Sequence, residues 1–314
     1  MKILCLFTFA RKMEKISILL IVIFLPLHAL ASGGNTDILM WKGDTLALYS
    51  NPLTLRDDYD LLLKQIVEEV HREIIATYPT DSNYYFGSTV CGRGHIVEWI
   101  LINDSIFLNK IYPCYYPEVK INLKKIFPNI GENQKIFASW INGDLYLQQG
   151  ELLHVGYSSI FEFETVLSIE NGLLKNVEHF HNKIAKRSAF FEKAMYGKAR
   201  EFADKNVNWD NLPDLKNKSI KINLCVNIDE QGEIVSINEN RTYCSESYWN
   251  ESTQRLDSSK THLGADINDA FVKETFRVAK LIPEWDVIYQ RGKIVSMYLS
   301  IEFSEKKRNE YGRQ

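Results

Sequence analysis

Between Asp37 and about Asn182 the chain repeats one pattern: a short apolar or aromatic run, a polar turn, then a second apolar run. Ile38–Trp41 and Leu46–Tyr49 flank Lys42-Gly43-Asp44, and His95–Leu101 and Ile106–Ile111 flank Asn103-Asp104. Phe137–Ile141 and Leu145–Leu147 flank Asn142-Gly143-Asp144, and Thr165–Ile169 and Leu173 onward flank Glu170-Asn171-Gly172. Asn, Asp and Gly tolerate the positive φ that tight hairpin turns need. Evenly spaced hairpins predict an antiparallel sheet or incomplete barrel over residues 32–182.

Two stretches switch to a helical period. Tyr59, Leu63, Ile66, Val70 and Ile74 share one face of a helix predicted near residues 55–78, with Thr54-x-x-Asp57 as its cap and Pro79 as its stop. Ile184, Phe191, Met195 and Phe202 predict a second helix from about Lys183 to Asp204, opposite a basic side. It lies where the hairpin pattern ends, so residues 183–215 are expected to be a connecting helix and linker.

The alternation then returns. Ile222, Leu224, Val226 and Ile228 predict a strand, Asp229–Glu233 a turn and Ile234–Ile237 its return. Ser245–His262 is polar and reads as a long mobile loop. Ile267, Phe271, Val278 and Leu281 mark a helix, and Ile294–Phe303 a last strand. Residues 305–314 form a charged tail that is expected to fray.

Between that helix and strand stand Pro283, Trp285, Gly292 and Val295. Proline ends a helix, an indole can bury a large apolar area, and Gly292 provides a turn. The order of strand with Val226, Asp229-x-x-Gly232 turn, Ile234 strand, helix Phe271–Leu281, Pro283-x-Trp285, Gly292 and Val295 strand resembles the TonB C-terminal domain. The resemblance spans about Lys216–Phe303, under a third of the chain. It implies a TonB-C-like module over residues 216–304, acting in the periplasm. There an exposed edge strand binds an extended segment of an outer-membrane or periplasmic protein by strand addition. The N-terminal half is similar to uncharacterised secreted bacterial proteins with Trp-rich hairpins, to which no activity attaches. The expected class is therefore α+β: an N-terminal β-hairpin domain with one packed helix, a connecting helix, and a small antiparallel sheet with one helix.

The N-terminus bears on compartment. Arg11, Lys12 and Lys15 precede an apolar run Ile16–Leu27 and then Ala29-Leu30-Ala31, the pattern of a secretory signal cleaved after Ala31. Either Met1 or Met13 can serve as the start. The run is short of the ~20 apolar residues that span a bilayer comfortably. Its alternative is an inner-membrane anchor at 16–31, which would make the chain a TonB-type energy transducer for transmembrane transport. The 8 prolines are scattered, however, and form no spacer of the kind a transducer uses.

The formal charge is −3, and residues 1–31 carry +3, so the mature chain stands near −6. A mildly acidic surface argues against nucleic-acid binding. Export permits disulfides among Cys91, Cys114, Cys225 and Cys244. A turn at Asn103-Asp104 brings Cys91 and Cys114 nearly opposite, so a bridge there would close a hairpin. A turn at Gln231 does not bring Cys225 opposite Cys244. All four can equally be small buried hydrophobes.

Candidate chemistry is sparse. His179 and His181 share a strand face, as a zinc site could use, but no third ligand is visible. Cys91 stands near His95 across Gly92-Arg93-Gly94, though a bridged cysteine is no nucleophile. Ser158 in Gly156-Tyr157-Ser158-Ser159-Ile160 lacks the closing glycine of a nucleophile elbow. No P-loop, dinucleotide fingerprint or zinc ribbon occurs, so no catalytic residue, metal or cofactor is predicted. The expected function is that of an exported, non-enzymatic binding or structural protein. A secreted hydrolase with its site in the N-terminal domain is the alternative from a different class.

Overall fold

The computed structural model describes residues 36–79, 93–131, 134–154, 159–191, 197–215, 218–250, 255–264, 266 and 268–312. The predicted signal segment and Cys91 lie outside them. The chain divides into two compact units. One comprises residues up to Gln148 and Thr165–Glu178; the other comprises Gln149–Glu164 and His179 onward.

Eight strands lie wholly or in part in the first unit: β1 (Asp37–Trp41), β2 (Asp44–Leu48), β3 (His95–Ile102), β4 (Ser105–Pro113), β5 (Ile136–Phe137), and parts of β6 (Gly143–His154), β7 (Ile160–Glu170) and β8 (Leu173–His181). Seven pair in the ring β3-β1-β2-β6-β7-β8-β4, and β4 returns to β3, closing a barrel; β5 hangs on β4 outside the ring. Three hairpin turns form where Asn, Asp and Gly predict them. Lys42-Gly43, Asn103-Asp104 and Asn171-Gly172 all have positive φ at both positions. The third predicted hairpin does not form, because Phe137 pairs with Phe107 of β4. Helix α1 (Tyr59–Thr77) connects β2 to β3, which leaves β1 and β3 parallel. Leu62, Ile66, Val70 and Ile74 of α1 join Leu39, Leu48, Trp99, Leu108, Leu147 and Leu167 in one core. The cap is Asp58, and Thr54 belongs to a 3-10 turn before it. A one-turn helix, α2 (Leu123–Ile126), ties to α1 through Lys125, which bridges Glu69 and Glu73 at 2.7 and 2.8 Å.

Two seams of the ring are one residue wide. β2 meets β6 at Leu48–Leu147, and β4 meets β8 at Ser105–Leu173. The ladders of β1 with β2 and β3, and of β3 with β4, are longer; β3 and β4 pair from His95–Pro113 to Ile102–Ser105.

The second unit contains β9 (Lys183–Lys186), α3 (Gly197–Asn206), β10 (Lys218–Ile228), β11 (Ile234–Ile237), β12 (Tyr243–Asn250), β13 (Arg255–Leu263), α4 (Ala270–Ala279), β14 (Val287–Gln290), β15 (Lys293–Ile294), β16 (Met297–Phe303) and α5 (Glu305–Tyr311). β10 is central. β16 flanks one side, β11 and β12 share the other, and β13 lies beyond β12. β14 pairs with β9 and β15 in a separate small sheet. Ile222, Leu224, Val226, Phe271, Val278, Trp285, Leu299 and Phe303 share its core.

The expected α+β class, with a TonB-C-like sheet and helix in the C-terminal third, is overturned. The chain is largely β, 42% strand, with a closed seven-stranded barrel and five short helices among the described residues. Three readings contribute to that correction. Residues 183–186 are a strand and not the start of a helix, because Ile184 pairs with Ile288. Asn182 fixes this turn-off by donating to the Phe161 carbonyl and accepting from the Arg291 N–H. The polar stretch from Ser245 is a hairpin arm, since strand ladders satisfy backbone groups whatever the side chains are. The charged tail is helix α5, tied down by Lys307 to Asp204 at 2.6 Å and capped by Ser304.

Candidate functional site

The sequence-predicted residues of the C-terminal third surround β14. Helix α4 ends at Ala279, three residues before Ile282, and exposed Pro283 follows in the turn. Trp285 is buried, its ring 4.7 Å from that of Phe191, and its backbone N–H donates to the Gly232 carbonyl. Gly232 has φ +80°, and a Cβ there would stand 2.7 Å from the Trp285 carbonyl oxygen. The Asp229–Glu233 turn is therefore docked on the backbone of Trp285. Arg291-Gly292 forms the tight turn between β14 and β15, with positive φ at both residues. Val295 donates to the Ile288 carbonyl. These four residues stand in the turn after α4 and around β14, where Trp285 and Val295 hold the backbone in place.

His179 and His181 lie exposed on β8. The His181 ring stacks on Phe163 at 5.0 Å and its Nε2 is 3.6 Å from Glu162. Among the described residues no three His, Cys, Asp or Glu converge as a metal would need. Cys114 is disulfide-bonded. Cys91 and Ser158 lie outside the described residues, so a Cys91–His95 pair or a serine nucleophile has no geometry to report.

Sequence reading missed the buried charges. In the first unit Asp37 is fully buried at the start of β1 and accepts from Arg93 Nη2 at 2.9 Å, Trp99 Nε1 at 3.0 Å and the Val97 N–H at 3.2 Å. Burial raises its carboxyl above the ordinary range, and Arg93 pulls it back. His95, on the same inward face of β3, shares a hydrogen bond between Nδ1 and the Arg93 carbonyl, while Nε2 has no partner among the described residues. Burial, helped by Arg93, pushes its imidazole down to about 4, so the ring is neutral near pH 7. The period-2 pattern carried a signal here: Asp37 has the same parity as buried Leu39.

In the second unit Glu164 is buried against a bidentate Arg291, at 2.8 and 2.9 Å. Asp286 accepts from Arg187 at 2.8 Å and from the Ser188 N–H at 2.7 Å. Each pair joins residues more than ninety positions apart, which no local spacing shows. All these groups carry protein partners and serve to orient strands.

Cys225 and Cys244 are free. Cys225 stands across from Tyr298 and Cys244 across from Ile222, a core residue, so the two thiols occupy opposite faces of the sheet. Burial raises both, Cys244 from 9.0 to about 11. The thiolate fraction of Cys244 at pH 8 falls by about 100-fold, and its alkylation by iodoacetamide is expected to slow accordingly until urea unfolds the chain. Mass spectrometry of alkylated peptides checks this; rapid native labelling of Cys244 would contradict the placement.

Among the described residues no helix is long and apolar enough to cross a membrane. No protein-family model, no curated protein and no solved structure matches this chain.

Proposed function

We propose that the chain is an exported, non-enzymatic protein whose C-terminal unit binds a protein partner by strand addition. The observation that carries this reading is β13. It runs nine residues, pairs with β12 on one side, and among the described residues ends its sheet on the other. Such an edge offers N–H and C=O groups in strand spacing to an extended segment. The basic-then-apolar N-terminus, with Ala29-Leu30-Ala31 behind it, supports export.

The test uses a photo-crosslinking residue in place of Lys260 in β13, with the exposed Lys64 of α1 as control position. Irradiation in cells is expected to give one discrete adduct from position 260 and none from 64. In an antiparallel edge alternate N–H groups point outward. One of Thr261→Pro and His262→Pro therefore keeps the fold and loses the adduct. Equal labelling from both positions, or none from either, overturns the proposal. The mass of the purified mature protein tests export separately: loss of the 31 residues predicted to be cleaved is expected.

A further inference from the structure

The free side of β13 is not one continuous edge but two short arms. Gly264 donates its backbone N–H to the Thr242 carbonyl at 3.1 Å. Such pairs alternate along an antiparallel ladder, so His262, opposite Cys244, also turns its N–H and C=O toward β12. Thr261 and Leu263 then turn theirs to the free side. The register shifts next: Thr261 stands opposite Ser245, but Ser258 stands opposite Ser247. Two residues of β13, Ser259 and Lys260, therefore oppose the single Glu246, which makes a β-bulge in the edge strand. Past the bulge, Asp257 and Arg255, opposite Tyr248 and Asn250, point to β12, and Ser258 and Leu256 point outward. Within each arm the outward residues are two apart, about 7 Å, the step of a regular strand. From Ser258 to Thr261 the step is three residues. A regular strand cannot pair with both arms at once.

The arms are not equal. Tyr243–Ser245, behind Thr261–Leu263, are backed in turn by Lys221–Asn223 of the central β10. Trp249 and Asn250, behind Leu256 and Arg255, lie past Lys218, where β10 begins. That arm belongs to a two-stranded ribbon, which is the weaker support. At the end of the backed arm a Cβ on Gly264 would meet nothing within 4 Å, so the chain there is open. We infer that a short extended segment of a partner pairs with Thr261–Leu263 alone, and that the bulge at Ser259–Lys260 keeps longer strands off this edge, β13 of a second copy included. This rests on the strand-addition reading of β13 and gives its register. The backbone selects the occupant. Thr261 and Leu263 offer two N–H and two C=O groups, a match for about three residues of an extended chain. Two copies of β13 laid along one another would meet at their bulges, the device by which edge strands resist such pairing.

Deletion of Ser259 restores the two-residue step along the whole edge. Light scattering of the purified chain is expected to show the wild type as a monomer. The deletion variant is expected to rise toward twice that mass with concentration, and Thr261→Pro added to it to return it to the monomer. Hydrogen exchange on the wild type needs no variant to fold. The amides of Thr261 and Leu263 are expected to exchange at least about tenfold faster than those of His262 and Gly264, the factor one hydrogen bond supplies. In cells, with the photo-crosslinking residue at position 260, Thr261→Pro is expected to remove the adduct and Ser258→Pro to keep it. A wild-type dimer, a folded deletion variant that stays monomeric, or equal exchange at the four amides overturns the inference. An adduct that Ser258→Pro removes overturns it as well, and leaves strand addition itself standing. Absence of any adduct before either proline is introduced overturns strand addition and this inference with it.

Discussion

Replacing Trp285 with alanine is expected to destabilise the second unit by about 3–5 kcal/mol, the cost of emptying an indole-sized volume from a packed core. The side chain is 1% exposed and lies among Phe191, Val287 and the inward residues of β10 and β16. Trp285→Phe separates volume from hydrogen bonding. The indole Nε1 has no partner among the described residues, so phenylalanine forfeits no hydrogen bond to them and is expected to cost no more than about 1.5 kcal/mol. Gly232→Ala attacks the same joint from the backbone side. Its φ of +80° strains any L side chain, and its Cβ would meet the Trp285 carbonyl oxygen at 2.7 Å. Relief of that clash must lengthen the Trp285 N–H to Gly232 carbonyl bond, now 3.2 Å. Gly292→Ala is the contrast, with φ +74° but open space around the new methyl, so it pays for the torsion alone. Native-state hydrogen exchange at the β10 amides reads all four variants. A loss below 1 kcal/mol for Trp285→Ala, or a Gly232→Ala no worse than Gly292→Ala, would show that the joint does not hold the unit together.

How much of this was legible follows from the range of each interaction. The turns were legible because Asn103-Asp104 and Asn171-Gly172 need nothing beyond two residues that accept positive φ. The last strand was likewise written in the alternation of Met297, Leu299, Ile301 and Phe303, and the burial of Trp285 in the placing of a large apolar ring between a helix stop and that strand. The class was not. A hairpin series looks the same whether its sheet stays open or closes, and closure here rests on pairings between Leu48 and Leu147 and between Ser105 and Leu173. Each seam joins residues far apart by a single pair, too little to imprint a pattern. The stretch after Asn182 was misread because Ile184, Phe191 and Phe202 fit a helical face by spacing, whereas β14 supplies Ile184 with a strand partner. Local propensity lost to tertiary pairing there. The buried carboxylates of Asp37, Glu164 and Asp286 were illegible for a related reason. Only their parity was local; their arginines were not.

Asp37→Ala is expected to cost the first unit about 3 kcal/mol or more, because it leaves the Trp99 indole N–H and the Val97 amide buried without acceptors at roughly 1–3 kcal/mol each. Asp37→Asn keeps an acceptor oxygen in place and is expected to stay within about 1 kcal/mol of the wild type near pH 7, since desolvating the charge offsets much of what Arg93 returns. The two readings of the site, a strong ion pair or an expensive buried charge, then separate by pH. Burial lifts the folded-state carboxyl above its ordinary 3.8, so the folded form takes up the proton first. The stabilisation linked to that proton is complete below the unfolded value and is lost as pH rises through the folded one. Wild type is thus expected to gain on Asp37→Asn as the pH falls from 7 toward 4, while His95, common to both chains, cancels in the comparison. Urea titrations of the two proteins at pH 7, 5.5 and 4 measure the gap. If the gap moves the other way, the guanidinium outweighs desolvation and the carboxyl at the foot of β1 is ionised by its pair, with its folded-state value below and not above that of the unfolded chain.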